Sequence, residues 1–573
     1  MSSAVAPVPQ TPELAGAPRA AEPASSSWWA SDRLRALALI LAEAFVAFAA
    51  CLVLPLLVRR LDVNPMNRIG QVSGLAAIQL RFAVLGILLI AALLIAQHLR
   101  AGRFFAVVTR LCCAALAGLA SGFVAAGAVV ALLGTPWPMF GLNGDTGRLV
   151  AWATSILHGH GAPVPIYPPL SLYGLAGLAK LFYGGNAAYA FKGMEILGAA
   201  VIGPLAYLAW RMLFRPIWAL VIGIVPMMAL IDSYKPYDAV VLILLTPVLT
   251  AVLQVMRRAP DTAWRTLLVR AALLGVLLGV LFLTYSGWFV WSAGGAVAAA
   301  LLLFPWRSGR SGRLKALAAA AASVAAFAAV AGWYAVTLLQ SAGTPDRNFS
   351  FDAYTDPAYF SMWRTDMPGK VTQWPPPGEI GGVSLFTALL FVALGVALWL
   401  GIRRSVVVTT VCIFASAWLM RMYFAARMFA TDEVQLWIRT DNQLLYCGLL
   451  FIGLAVYLVA GRLVAVRAML PGRPGGAPRP GLPRPGLPRP GLPQRGAAIA
   501  GVFAGLLMLT GSMGSSQSDR YMPADVNTYQ VFSYVSHTVR MLNGRCPQYA
   551  PGGRCSKNGV QNWKSFIWVG PKP

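Results

Sequence analysis

Residues 34–58 read LRALALILAEAFVAFAACLVLPLLV, which is longer than the roughly 20 apolar residues that carry a helix across a bilayer. Twelve further apolar segments follow along the chain. A soluble fold could not hide that much apolar surface: 58% of the residues are hydrophobic and 12% charged, against about 25% charged in ordinary globular chains. Lipid offers no hydrogen bonds to a backbone, so segments of this kind cross as helices. The expectation is an all-α polytopic membrane protein with about 13 transmembrane helices.

The spans fall near 34–58, 75–97, 106–131, 194–210, 217–232, 238–256, 267–285, 288–305, 316–339, 381–400, 405–423, 444–461 and 496–512. Lys and Arg outnumber Asp and Glu by 46 to 20, a balance that would suggest nucleic acid in a soluble protein. Here the arginines sit in alternate short loops, as the positive-inside bias requires. With residues 1–30 as a disordered cytoplasmic tail, the inner loops carry Arg100 and Arg103, Arg211 and Arg215, Arg257, Arg258 and Arg265, Arg307 to Lys315, and Arg403 and Arg404. The segment 168–185 is apolar enough to cross as well, but that would turn Arg211 and Arg215 outward. An interfacial or re-entrant helix is therefore expected there.

Residues 31–461 then form the main transmembrane domain. Residues 462–495 form an inner linker with PRPGL repeated three times over 478–492, where proline density precludes helix and sheet. A last span at 496–512 leads to a small exterior segment, 513–573. That segment holds Cys546 and Cys555, the two cysteines clear of the apolar segments, and an oxidising exterior allows them to pair.

The chemistry-bearing residues gather in the outer loops. In the first, Asn143–Gly144–Asp145 precedes an apolar-periodic helix, and the loop ends in Tyr167–Pro168–Pro169. Asp145 can cap that helix, or, held at the membrane surface, take a proton from a hydroxyl nucleophile. The next outer turn is Asp232–Ser233–Tyr234–Lys235–Pro236–Tyr237–Asp238, whose charges need a wet cavity or one another so close to lipid. The long loop 340–380 mixes acids with Tyr and Trp, including Trp363, as sugar-binding surfaces do. Around 421–443, Arg421, Arg427 and Arg439 run against the positive-inside trend. They can pair with the neighbouring acids Asp432, Glu433 and Asp441, or bind an anion at the bilayer surface, where a guanidinium fork suits a lipid phosphate.

Neither a P-loop nor a Rossmann glycine fingerprint occurs. His98, His158, His160 and His537 lack metal-ligand spacing, so no metal site is named, although a divalent ion is left open. Glu43 is the main acid inside a span, and no paired charge is expected at mid-depth. That asymmetry favours surface chemistry over a transporter or lipid flippase.

Taken together, the Asp145 loop, Tyr167–Pro168–Pro169, Phe191–Lys192, Trp210–Arg211–Met212 and Ser233 to Tyr237 resemble the GT-C membrane glycosyltransferases. More closely, the chain is similar to the actinobacterial galactan 5-O-arabinofuranosyltransferase family, over roughly residues 130–450. The resemblance implies a multi-pass plasma-membrane enzyme with an exterior active site. It would transfer arabinofuranose, with inversion, from decaprenyl-phosphoryl arabinose to a cell-wall galactan. Asp145 would be the general base, Lys235, Arg421 and Arg427 would hold the donor phosphate, and Asn143, Tyr167, Asp232, Tyr237, Asp238 and Trp363 would line the substrate site. The partners implied are a polyprenyl-phosphate sugar, a glycan acceptor and the bilayer, with no nucleic acid. The family often shows two adjacent acids where this chain has Asp145 alone, and a large exterior domain where it has about 60 residues. A related glycan acceptor, or a mannosyl-type transferase of the same class, therefore stays open.

Overall fold

The computed structural model describes residues 26–99, 102–341, 379–380, 383–431, 439–469, 492–525 and 528–557. The expected tail up to residue 25, most of the proline-rich linker and Trp363 lie outside these residues. The helices are α1 (Ser26–Val58), α2 (Arg68–His98), α3 (Gly102–Ala131), α4 (Gly144–Leu157), α5 (Pro169–Phe182), α6 (Ala187–Arg211), α7 (Pro216–Leu230) and α8 (Pro236–Arg257). They continue with α9 (Trp264–Thr284), α10 (Gly287–Leu303), α11 (Arg310–Gln340), α12 (Leu385–Gly401), α13 (Ser405–Thr431), α14 (Thr440–Met469), α15 (Leu492–Asp519) and α16 (Thr528–Ser536). Apart from a two-residue antiparallel pair, Glu379–Ile380 with Val383–Ser384, the regular structure among the described residues is helical. The chain divides into two compact units, Met1–Ala42 and Glu43–Pro573. The first contributes only the opening turns of α1 to the described residues, and the remainder of the fold belongs to the second.

Ten of these helices are long and apolar enough to cross a membrane. The segments expected at 217–232, 288–305 and 381–400 fall on the shorter helices α7, α10 and α12, of 15, 17 and 17 residues. At 1.5 Å per residue these are about 22–26 Å long, somewhat below a hydrocarbon core of about 30 Å. Proline begins α7 and α8, where a missing N–H costs no helical bond.

α3 is buried along most of its length and organises the second unit. Small residues let its neighbours approach backbone to backbone, the usual means of association where lipid provides no hydrophobic drive. A Cβ at Gly118 would stand 2.2 Å from the Ala47 carbonyl of α1, and one at Gly203 of α6 would stand 2.2 Å from the Ala117 carbonyl.

Side-chain bonds sort the helix ends of this unit into two sets. In one, Tyr334 near the end of α11 bonds the Ile166 carbonyl (2.9 Å), and Gln71 near the start of α2 bonds the Pro523 carbonyl just after α15 (2.7 Å). In the other, Arg257 bonds the Arg403 carbonyl (2.7 Å), and Lys315 bonds the Pro260 and Thr262 carbonyls (3.3 and 3.0 Å). α5, with 14 residues, is only about 21 Å long. It starts just after Ile166 and is followed by Tyr183, which lies against Gly193 in the second turn of α6.

The apolar segments hold a buried group of paired charges that involves Arg211 at the end of α6. Glu43, 1% exposed, accepts from Arg110 of α3 and from Arg211 of α6 (Nε to Oε2, 3.1 Å). Its partners are 67 and 168 residues away, so no local spacing reveals them. Removing one member of such a group leaves charge buried and uncompensated, at a cost of about 3 kcal/mol or more. Glu43→Ala is expected to lower the thermal unfolding midpoint of the detergent-solubilised protein, and Glu43→Gln to lower it less. An unchanged midpoint in both would show that the two guanidiniums do not depend on this carboxylate.

Candidate functional site

The loop after α3 is fixed by two residues of α6. The Lys192 ammonium donates to the Leu132 and Thr135 carbonyls (2.9 and 2.6 Å), both in the loop just beyond the end of α3. One turn on, the buried Glu195 carboxylate accepts from the Met139 amide (2.9 Å). The Met139 carbonyl in turn accepts from the Thr146 hydroxyl (3.0 Å), beside Asp145. Between them Phe140 adopts a positive φ of 68°, the left-handed region that a bulky side chain rarely enters. Its amide bonds the Phe532 carbonyl (2.6 Å) and its ring packs 4.8 Å from that of Phe532, so tertiary contacts hold the turn.

This turn delivers the chain to α4. Asn143 precedes the helix, but its side-chain amide turns back to the Phe140 carbonyl (3.3 Å) and does not cap it. Asp145 lies in the first turn, where the helix dipole favours an anion. Its carboxylate forms an ion pair with Lys235 in the α7–α8 turn. The Asp145 side chain is 46% exposed, so one side of the pair stays open to a ligand. Burial raises the Asp145 pKa, but the ammonium of Lys235, followed by the guanidiniums of Arg439 and Arg148, outweighs it and holds the group below its ordinary value.

Tyrosines stand around the pair. The hydroxyls of Tyr167 and Tyr237 lie 2.7 Å apart, and the Tyr237 and Tyr285 rings are 6.5 Å apart. Tyr285 accepts from the Arg439 guanidinium (2.8 Å) at the entrance to α14. Burial raises the Tyr167 pKa, and its phenol is neutral. Asp232 serves as a backbone anchor: Oδ1 accepts the Tyr234 and Lys235 amides (2.8 and 3.3 Å) and the Tyr521 hydroxyl (2.5 Å). Asp238 lies in the first turn of α8, where its carbonyl accepts from the Trp288 indole (2.9 Å).

The structure thus brings together Asp145, Lys235, Tyr167, Tyr237, Asp232 and Asn143 from the residues expected at the site. Arg421 has a different role. It is fully buried, bonded to Asp441 (2.5 Å) and Thr440 (3.1 Å), and a part in holding a phosphate does not fit that placement. Arg427 is exposed and lies against Tyr423, its guanidinium 5.3 Å from the ring centre. Sequence reasoning named Arg439 and Lys192 without giving either a role of its own, and overlooked Glu195 and Tyr521. A Lys and a Glu three residues apart on an apolar helix were a usable signal for Glu195. Among the described residues no three His, Cys, Asp or Glu side chains converge as metal ligands.

The segment after α15 packs directly on this loop. Thr135 donates to the Ser536 carbonyl (2.7 Å), Ser536 donates to the Pro138 carbonyl (2.5 Å), and the Trp137 indole donates to the Val539 carbonyl (3.0 Å). His537, fully buried, bonds the Ala131 carbonyl (2.9 Å), and burial pushes its pKa down to about 4. Cys546 and Cys555 are joined in a disulfide with Cα atoms 5.5 Å apart. No protein-family model matches this chain, and no curated protein matches it.

The arrangement can bind an anion with Lys235 and Arg439 and can accept a proton at Asp145. It also makes the state of Lys235 measurable. Acylation of Lys235 by an amine-reactive reagent, followed by peptide mass spectrometry, is expected to run several-fold faster in Asp145→Asn than in wild type. Equal rates would show that the pair does not persist in the bilayer.

Proposed function

We propose that this chain is an inverting membrane glycosyltransferase that moves arabinofuranose from decaprenyl-phosphoryl arabinose to a cell-wall galactan or related glycan. The proposal includes a plasma-membrane location, about 13 crossings with α7, α10 and α12 among them, and the Asp145 side of the bundle facing the exterior. The observation that carries it is the half-exposed Asp145 carboxylate, set on a helix N-terminus between two cations at one end of a membrane bundle. The resemblance of the outer loops to the GT-C enzymes adds the donor class.

In the proposed step the acceptor hydroxyl oxygen bonds to C1 of the arabinofuranose, and its proton passes to Asp145. The C1–O bond to phosphate breaks, and the lipid phosphate leaves with the electron pair. Lys235 and Arg439 offset the charge that develops on that phosphate. A phosphate that draws Lys235 away would free Asp145 for the incoming hydroxyl. Tyr167 and Tyr237 supply neutral hydroxyls and ring faces suited to a sugar. The mannosyl-type alternative uses the same chemistry with another donor. A transporter reading gains little from the buried charges, because Arg211 ends α6 and Lys192 lies in its second turn, both away from mid-depth.

The test is transfer of labelled arabinose from decaprenyl-phosphoryl arabinose to a short galactan, with membranes containing or lacking the protein. Asp145→Asn is expected to reduce transfer roughly 10²–10⁴-fold at unchanged expression; retained activity would remove the proposed base. The pH profile gives a second check. A base must be ionised, and Asp145 titrates below its ordinary value, so the acid limb of kcat/KM is expected below pH ~4. A limb between pH ~6 and ~7 would point instead to a group such as histidine.

A further inference from the structure

The chain beyond α15 is the natural candidate for an acceptor-holding appendage, since it is exterior in the proposed topology and small. Its contacts point elsewhere. Tyr521, 1% exposed, donates its hydroxyl to Asp232 Oδ1 (2.5 Å), the oxygen that also holds the Tyr234 and Lys235 amides. An aspartate accepting from amides two and three residues ahead fixes the turn between them. Lys235 therefore leaves that turn in the direction set by Asp232, and Asp232 is itself oriented by Tyr521.

Tyr521 is in turn well held. Its carbonyl accepts from the Ser533 hydroxyl on α16, and its ring packs 5.7 Å from that of Tyr529. The Arg520 guanidinium lies 3.4 Å above the Tyr529 ring centre, and Phe532 stacks 4.3 Å from Tyr234 in the turn itself. The same helix braces the opposite side of the site through the Phe532 carbonyl on the Phe140 amide (2.6 Å). Both partners of the Asp145–Lys235 pair thus rest on one short segment that belongs to neither of their helices.

We propose that Tyr521 and Asp232 are positioning residues through which the segment after α15 sets Lys235 against Asp145, so that this segment is part of the site and not an acceptor-binding appendage. The proposal rests on the transferase reading for its kinetic consequences but not for its geometry.

The experiment pairs Lys235 acylation with transfer kinetics in Tyr521→Phe, Asp232→Ala and Asp232→Asn, using the full chain in membranes. Tyr521→Phe removes one oxygen from a packed ring and is expected to fold. It should raise Lys235 acylation several-fold and lower kcat roughly 10- to 100-fold with acceptor KM unchanged, as a displaced catalytic group does. Asp232→Ala should do the same, and Asp232→Asn, which keeps the accepting oxygen, should recover most of that loss. Unchanged Lys235 acylation in both Tyr521→Phe and Asp232→Ala would overturn the proposal, as would a raised acceptor KM at unchanged kcat. Absence of arabinose transfer by the wild type would sink the transferase reading, while the acylation result still decides the positioning role.

Discussion

Hydrocarbon offers neither hydrogen bonds nor counterions, so a chain that folds within it has to satisfy its own polar groups. Much of this architecture follows from that demand. Among the described residues the backbone is satisfied chiefly by running as helix. Glu43 is satisfied by arginines from two other helices, and Lys192 is satisfied by two carbonyls in the loop beyond α3. Where α3 ends, the loop that carries Asp145 is held by side chains whose own burial requires a partner. Glu195 has to find a donor, and the Met139 amide is that donor. Solving a solvation problem and placing the proposed base are here the same event.

A consequence is that the candidate site combines precision with partial exposure. Its supports, Lys192, Glu195, Thr146 and Tyr521, are mostly shielded from solvent, while Asp145 keeps almost half its side chain open. Such a division suits a reaction at a membrane surface, in which a lipid-borne donor and a water-borne glycan meet at one carboxylate. Rigid supports lessen the reorganisation needed as charge shifts toward a departing phosphate.

The helices were legible in the sequence because each is a local property of a continuous apolar run. All 13 expected spans fall on helices, and the segment 168–185, expected as an interfacial or re-entrant helix, falls on the short α5. Asp145 and Lys235 were both visible as charges beside lipid, but their pairing across 90 residues was not. The same holds for Glu43 with its arginines and for Tyr521 with Asp232. Arg421 shows a choice that sequence left open. It could pair with a neighbouring acid or hold a phosphate, and in the fold it pairs with Asp441. Sequence reports which groups need partners; the packing of distant helices decides which partner each one gets.

The most direct test of the account is the anomeric configuration of the product formed from decaprenyl-phosphoryl arabinose and a galactan acceptor, read by NMR. One carboxylate acting as base on a single displacement predicts inversion at the transferred arabinofuranose. A product with retained configuration would require a nucleophile that the account does not contain, and it would contradict the role given to Asp145.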